Sequence, residues 1–220
     1  MGKVTLDRLC QWVKDAEPKV DDVGKDLVQL RNEIRKLGEA LGDLLNQQAK
    51  LESSISGIQS QIAQLQSQAS SSDDDDDDGA SAAIESQISA LQGRLGEYQS
   101  LLAEVIDAID KTRKEIEDKQ EDASVCISKL GESDETFALV SDGFTAHLRE
   151  NIQTKETLSR AGSIRFASAS AAEQISIIQR RINTCMSFQR KISEIRGRIQ
   201  QYLGDERDQR EKVKTLSRSH

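Results

Sequence analysis

The stretch from Val20 to Ala69, VDDVGKDLVQLRNEIRKLGEALGDLLNQQAKLESSISGIQSQIAQLQSQA, decides the fold. Stepping alternately by three and four from Val20 gives Val23, Leu27, Leu30, Ile34, Leu37, Leu41, Leu44, Gln48, Leu51, Ile55, Ile58, Ile62, Leu65 and Ala69. Only Gln48 breaks the apolar series. A seven-residue repeat held in one register over this length predicts an extended helix with a narrow apolar seam.

A second series begins at Ile84 and continues through Ile88, Leu91, Leu95, Tyr98, Leu102, Val105, Ile109, Thr112, Ile116, Lys119, Ala123, Cys126 and Leu130. Set Ala69 opposite Ile84 and move outward. Leu65 then meets Ile88, Ile62 meets Leu91, Gln48 meets Val105, and Val23 meets Leu130. The two seams match in an antiparallel sense, which predicts an intramolecular coiled-coil hairpin over residues 18–130. Each helix is roughly 70–75 Å long at about 1.5 Å per residue. Gln48 and Lys119 are polar seam residues of the kind that set register. The Lys119 stem can lie in the seam while its ammonium reaches water.

Between the series lies a tip loop, residues 70–81, holding Asp73, Asp74, Asp75, Asp76, Asp77 and Asp78. Six adjacent carboxylates repel one another, and Asp is a poor helix former. The run reads in two ways, as a solvated linker or as a docking loop for a basic partner. Its spacing matches no calcium-binding loop. Ser81 suits the N-cap of the returning helix.

Outside the hairpin, Thr5 suits the cap of a short helix over residues 1–17, with Leu6, Leu9, Cys10 and Val13 on one face. Pro18 then suits the first turn of the next helix. Gly131 and the following Ser133-Asp134-Glu135 suggest a stop and a fresh start. Two further helices are expected over 131–203. One carries Phe137, Val140, Phe144, Leu148 and Ile152 and ends near Gly162. The other opens with a capping box, Ser170 and Glu173. The apolar stripe widens at Leu44, Leu45, Leu101, Leu102, Val105 and Ile106, which offers these helices a seat. The expectation is an all-α chain, an elongated four-helix bundle with a projecting two-helix stalk. A polar, basic and frayed tail is expected over 204–220.

Composition supports this class. Charged residues make up 31% and aromatic residues 3%, with one proline. That suits long helices with a narrow seam better than a large globular core. The net charge of −8 argues against general nucleic-acid binding. Yet from Ser176 to His220 eleven Lys/Arg stand against five Asp/Glu, about +6. Arg180, Arg181, Arg190, Lys191, Arg196, Arg198, Arg207, Arg210, Lys212 and Lys214 form a candidate basic interaction surface. The same charges also suit pairing with acidic faces of neighbouring helices. Phe188 and Tyr202 are the only aromatics among them, too few to stack bases.

His147 and His220 sit in no catalytic or metal motif, and no phosphate loop is present. No enzyme, cofactor or metal is expected. Cys10, Cys126 and Cys185 have no disulfide-framework or metal spacing. Neither a signal peptide nor a membrane span is visible, so a cytoplasmic, reduced protein is expected. Trp12 is expected to pack on the bundle, not to anchor a membrane, because its helix has no cationic face. These readings point to a non-enzymatic structural or adaptor coiled coil binding protein partners through its tip and its basic helix. Head-to-tail self-association of the acidic and basic ends is a further expectation. The alternatives are a membrane-remodelling helical scaffold, disfavoured by the acidic long helices, and a helical secretion-system component or effector.

Replacing Asp73–Asp78 with a Gly/Ser linker is expected to leave the melting temperature nearly unchanged. Leu37→Ala is expected to cost roughly 2–5 kcal/mol if that position is buried. Thermal denaturation of the two variants checks both.

Overall fold

In the computed structural model, residues 4–71, 78–162 and 168–218 are described, with side chains over 4–70, 82–161 and 170–204. Every described residue except Val4 and Thr5 is helical. The chain is all-α. Three helices follow in order: α1 (Leu6–Ser71), α2 (Asp78–Gly162) and α3 (Ser168–Arg218). No helix among the described residues is long and apolar enough to cross a membrane.

Three helices replace the expected five, at two places where a break was anticipated and none occurs. Thr5 caps α1 as expected, its Oγ1 accepting from the Arg8 N–H at 3.4 Å. The helix then runs through Pro18, so residues 1–17 hold no separate helix. An interior proline costs about 3 kcal/mol through its missing N–H and its ring clash. Here the exposed Pro18 lies between Val13 and Val20, which are 0% and 2% exposed. Burying such side chains contributes about 1.5–3 kcal/mol each, enough to offset the proline.

Gly131 is the second place. Helix α2 continues through it, between Leu130 and Phe137, both fully buried. The expected helix start at Ser133 is mid-helix. Its hydroxyl donates back to the Lys129 carbonyl at 2.8 Å, which satisfies a side chain otherwise suited to capping. Helix α2 ends at Gly162 as anticipated, while α2 and α3 each begin earlier than expected, at Asp78 and Ser168. The backbone of α3 stays helical past Gly204 to Arg218.

The chain divides into two units, Met1–Arg31 with Asp122–His220, and Asn32–Glu121. In the first, Leu9, Val13, Val20 and Leu27 of α1 form a core with Ala123, Leu130, Phe137 and Phe144 of α2. Ile178, Ile182, Cys185, Ile192, Ile195 and Ile199 of α3 complete it. The α2 set falls at intervals of seven, and so do Val13, Val20 and Leu27. Trp12 meets Phe137 edge-on at 4.9 Å, and Phe144 stacks on Phe188 at 5.5 Å. Trp12 therefore packs inward, as expected.

In the second unit, the positions of α1 from Ile34 to Ala69 that are not fully exposed are those of the seam series, with Leu45 as the one addition. From Ile84 to Lys119 of α2 the same holds, with Ala108 added. Gln61, Gln64, Leu65 and Gln68 line one shallow groove together with Gln87, Ala90 and Leu91. At the far end Lys119 Nζ donates to Glu33 Oε2. The other polar seam residues have partners on their own helices. Gln48 donates to Glu52 at 2.9 Å, and Thr112 to the Ala108 carbonyl at 2.8 Å. Within the widened stripe, Leu101 and Ile106 are 47% and 41% exposed.

Two glycines in the first unit predict opposite outcomes. A Cβ on Gly131 would meet nothing within 4 Å. Gly131→Ala is expected to raise stability by roughly 0.5–1 kcal/mol through helix propensity. A Cβ on Gly24 would lie 2.3 Å from the Tyr202 ring. Gly24→Ala is expected to lower stability by roughly 1–3 kcal/mol. Combining it with Tyr202→Ala should recover part of that loss. Urea denaturation of the variants checks the set.

Candidate interaction surfaces

Two charged regions were singled out by the sequence. The acidic run falls almost wholly outside the described residues: only the backbone of Asp78 is described, as the first residue of α2. The reading of Asp73–Asp77 as a loop lies outside the described residues too.

Helix α3 carries the whole basic set. The side chains of Arg207, Arg210, Lys212 and Lys214 lie outside those described. The remaining six divide by position. Arg196 makes a two-pronged contact with Asp134 of α2, Nε and Nη2 donating to its two carboxylate oxygens at 2.8 and 3.1 Å. Lys191 and Arg198, seven residues apart, both reach Glu17 of α1. Arg198 Nη2 donates to Glu17 at 3.0 Å and its Nε lies 3.5 Å from Asp21. Arg180, Arg181 and Arg190 are exposed, and no ion pair is found for them among the described residues.

Geometry sets the electrostatics. Burial pushes the Glu17 carboxyl up, but hydrogen bonds from Lys191 and Arg198, with their charges, outweigh it and hold the group below its ordinary value of 4.5. The hydrogen bond to Asp134 is the main cause that raises the Arg196 guanidinium further. Charge-assisted, two-pronged pairs fix orientation as well as attraction. Here they tie α3 to α1 and to α2. The sequence drew attention to the cations and not to Glu17, Asp21 and Asp134. The available signal was the spacing, because Lys191 and Arg198 share one helical face at an interval of seven.

His147 has a structural contact of its own. Its Nε2 donates to the Val4 carbonyl at 2.8 Å, holding the start of the described chain against α2. The half-buried chain nearby is further knitted by Asn151 Nδ2 donating to the His147 carbonyl at 2.7 Å. His220 lies outside the described residues. No cluster of three or more His, Cys, Asp or Glu able to hold a metal occurs among the described residues. The thiols of Cys10, Cys126 and Cys185 are free, and burial, the largest cause, raises each above its ordinary value.

Compared with protein families, curated proteins and solved structures, the chain matches none.

Glu17 predicts a pH dependence. Its folded value is depressed, so its contribution to stability is complete above about 4.5 and is lost as pH falls through the folded value. Glu17→Gln is expected to be less stable than the parent at neutral pH. The difference should close below that window, and shrink at about 1 M salt as screening shortens to about 3 Å. Urea midpoints across pH and salt measure this.

Proposed function

We propose that the second unit is an antiparallel coiled-coil hairpin and that the chain is a non-enzymatic structural adaptor for protein partners. The observation that carries this reading is the exposure pattern of residues 34–69 and 84–119. Their apolar side chains are spent almost entirely on one seam, and the rest of each helix faces solvent. Such a unit offers outer faces to partners and has no room between its helices for a substrate.

The first unit supplies a three-helix body whose interior is filled by side chains. On α3 the exposed Arg180, Arg181 and Arg190 are the cations best placed for an acidic protein surface. Lys191, Arg196 and Arg198 serve the body itself through their ion pairs. This division refines the basic surface from ten residues to a smaller set. The acidic run Asp73–Asp78 is the second proposed contact. Free thiols throughout suit a reducing compartment such as the cytoplasm.

Two experiments test the reading. In a background with the native cysteines replaced, Ile62→Cys with Leu91→Cys is expected to give a disulfide within one chain on mild oxidation. Cross-links only between chains contradict the hairpin. Affinity capture should then compare the intact protein with one variant carrying serine at Asp73–Asp78 and one carrying glutamate at Arg180, Arg181 and Arg190. A partner retained equally by all three contradicts docking through these charges.

A further inference from the structure

We propose that Cys10 and Cys185 form a redox-active thiol pair, able to join α1 to α3 by a disulfide under mild peroxide. The argument begins with the face that α1 turns toward α3. Glu17 reaches Lys191 and Arg198, Asp21 reaches Arg198, and Gly24 lies against Tyr202. Numbers rise together on both helices, so the two run parallel. Cys10, Glu17 and Gly24 stand at intervals of seven and therefore share that face.

One heptad back from Glu17 along α1 is Cys10. One heptad back from Ile192 along α3 is Cys185, and Cys185, Ile192 and Ile199 form a fully or almost fully buried line. Carried back one heptad, the contacts of Glu17 with Lys191 and Arg198 set Cys10 between the levels of Thr184 and Lys191, a span that includes Cys185. Packed helix axes lie about 8–10 Å apart, and each Cα sits about 2.3 Å from its own axis. Facing residues then have Cα atoms within reach of the roughly 4.4–6.8 Å that a disulfide spans. Electrostatics agree with this placement. After burial, the charge of Cys10 is the next cause that raises the Cys185 thiol.

The chemistry balances with hydrogen peroxide as oxidant. The part-exposed Cys10 sulfur attacks one peroxide oxygen and breaks the O–O bond, giving a sulfenic acid and water. The Cys185 sulfur then attacks the Cys10 sulfur and expels its oxygen as a second water, the thiol proton leaving with it. Two thiols lose two hydrogens, and one peroxide becomes two waters. Both thiols sit above their ordinary range, so the thiolates are scarce near neutrality and the reaction quickens as pH rises. That makes the pair a slow staple and not a fast peroxide sensor. Its effect is to fasten the part of α1 before Pro18, the segment carrying Trp12, to the body.

The test treats the full chain with dilute peroxide, blocks remaining thiols after unfolding, and maps the peptides by mass spectrometry. The expected product is a Cys10–Cys185 link within one chain, with Cys126 still free. Closing so long a loop should raise the melting temperature of the oxidised protein by roughly 5–15 °C. Dithiothreitol should reverse the rise. Cys10→Ser, at a part-exposed position, should fold normally and show neither the link nor the rise. Cys10 recovered as sulfinic acid, linked to Cys126, or still a free thiol beside an equally free Cys185 overturns the proposal. So does a link that leaves the melting temperature unchanged or lower.

Discussion

Burial of one apolar stripe per helix, repeating every seven residues, is the constraint on which the rest of this structure depends. A helix turns once in about 3.6 residues, so a strict seven-residue repeat keeps its stripe facing a neighbour over many turns. Each helix here supplies such a stripe and little else that is apolar. Local preferences then have to yield where they conflict with the stripe. Pro18 and Gly131 are the clearest cases. Each would end a helix in isolation, and each sits between fully or nearly fully buried residues that gain more from continuing than the break would save.

Charges act on a second level. They do not create the fold, because exposed pairs contribute little and are screened by salt. They choose among arrangements that the apolar stripe would tolerate. The contacts of Glu17, Asp21 and Asp134 with Lys191, Arg196 and Arg198 fix which faces of α1, α2 and α3 meet and at what axial level. In the second unit Lys119 and Glu33 play the same part. A basic helix in an acidic chain is thus partly an internal device. Among the described side chains of α3, Arg180, Arg181 and Arg190 stand outside those pairs.

The helical class and both seam series could be read from spacing alone, because periodicity is a direct imprint of burial. Exposure follows the series residue by residue from Ile34 to Ala69 and from Ile84 to Lys119. The structure has fewer helices than its local signals imply, for a physical reason. Proline, glycine and a Ser-Asp pair report local backbone preference, which the buried register overrides. Yet Val13 lies seven before Val20, and Phe137 and Phe144 lie seven and fourteen beyond Leu130. Continuity was therefore present in the sequence. Long-range ion pairs were not, since nothing local says that Glu17 will meet residues more than 170 positions away on the chain.

Continuity of α2 through Gly131 is the central claim, and a distance measurement tests it most directly. Spin labels at the exposed Ser124 and Gln153, with the native cysteines replaced, lie on either side of Gly131. An uninterrupted helix at about 1.5 Å per residue separates their backbones by roughly 44 Å. Electron–electron double resonance is expected to give a narrow distribution near that value, broadened by the label arms. A chain that reversed at Gly131 and folded back would bring the labels to roughly 20 Å. A dominant peak at that short distance would contradict the account.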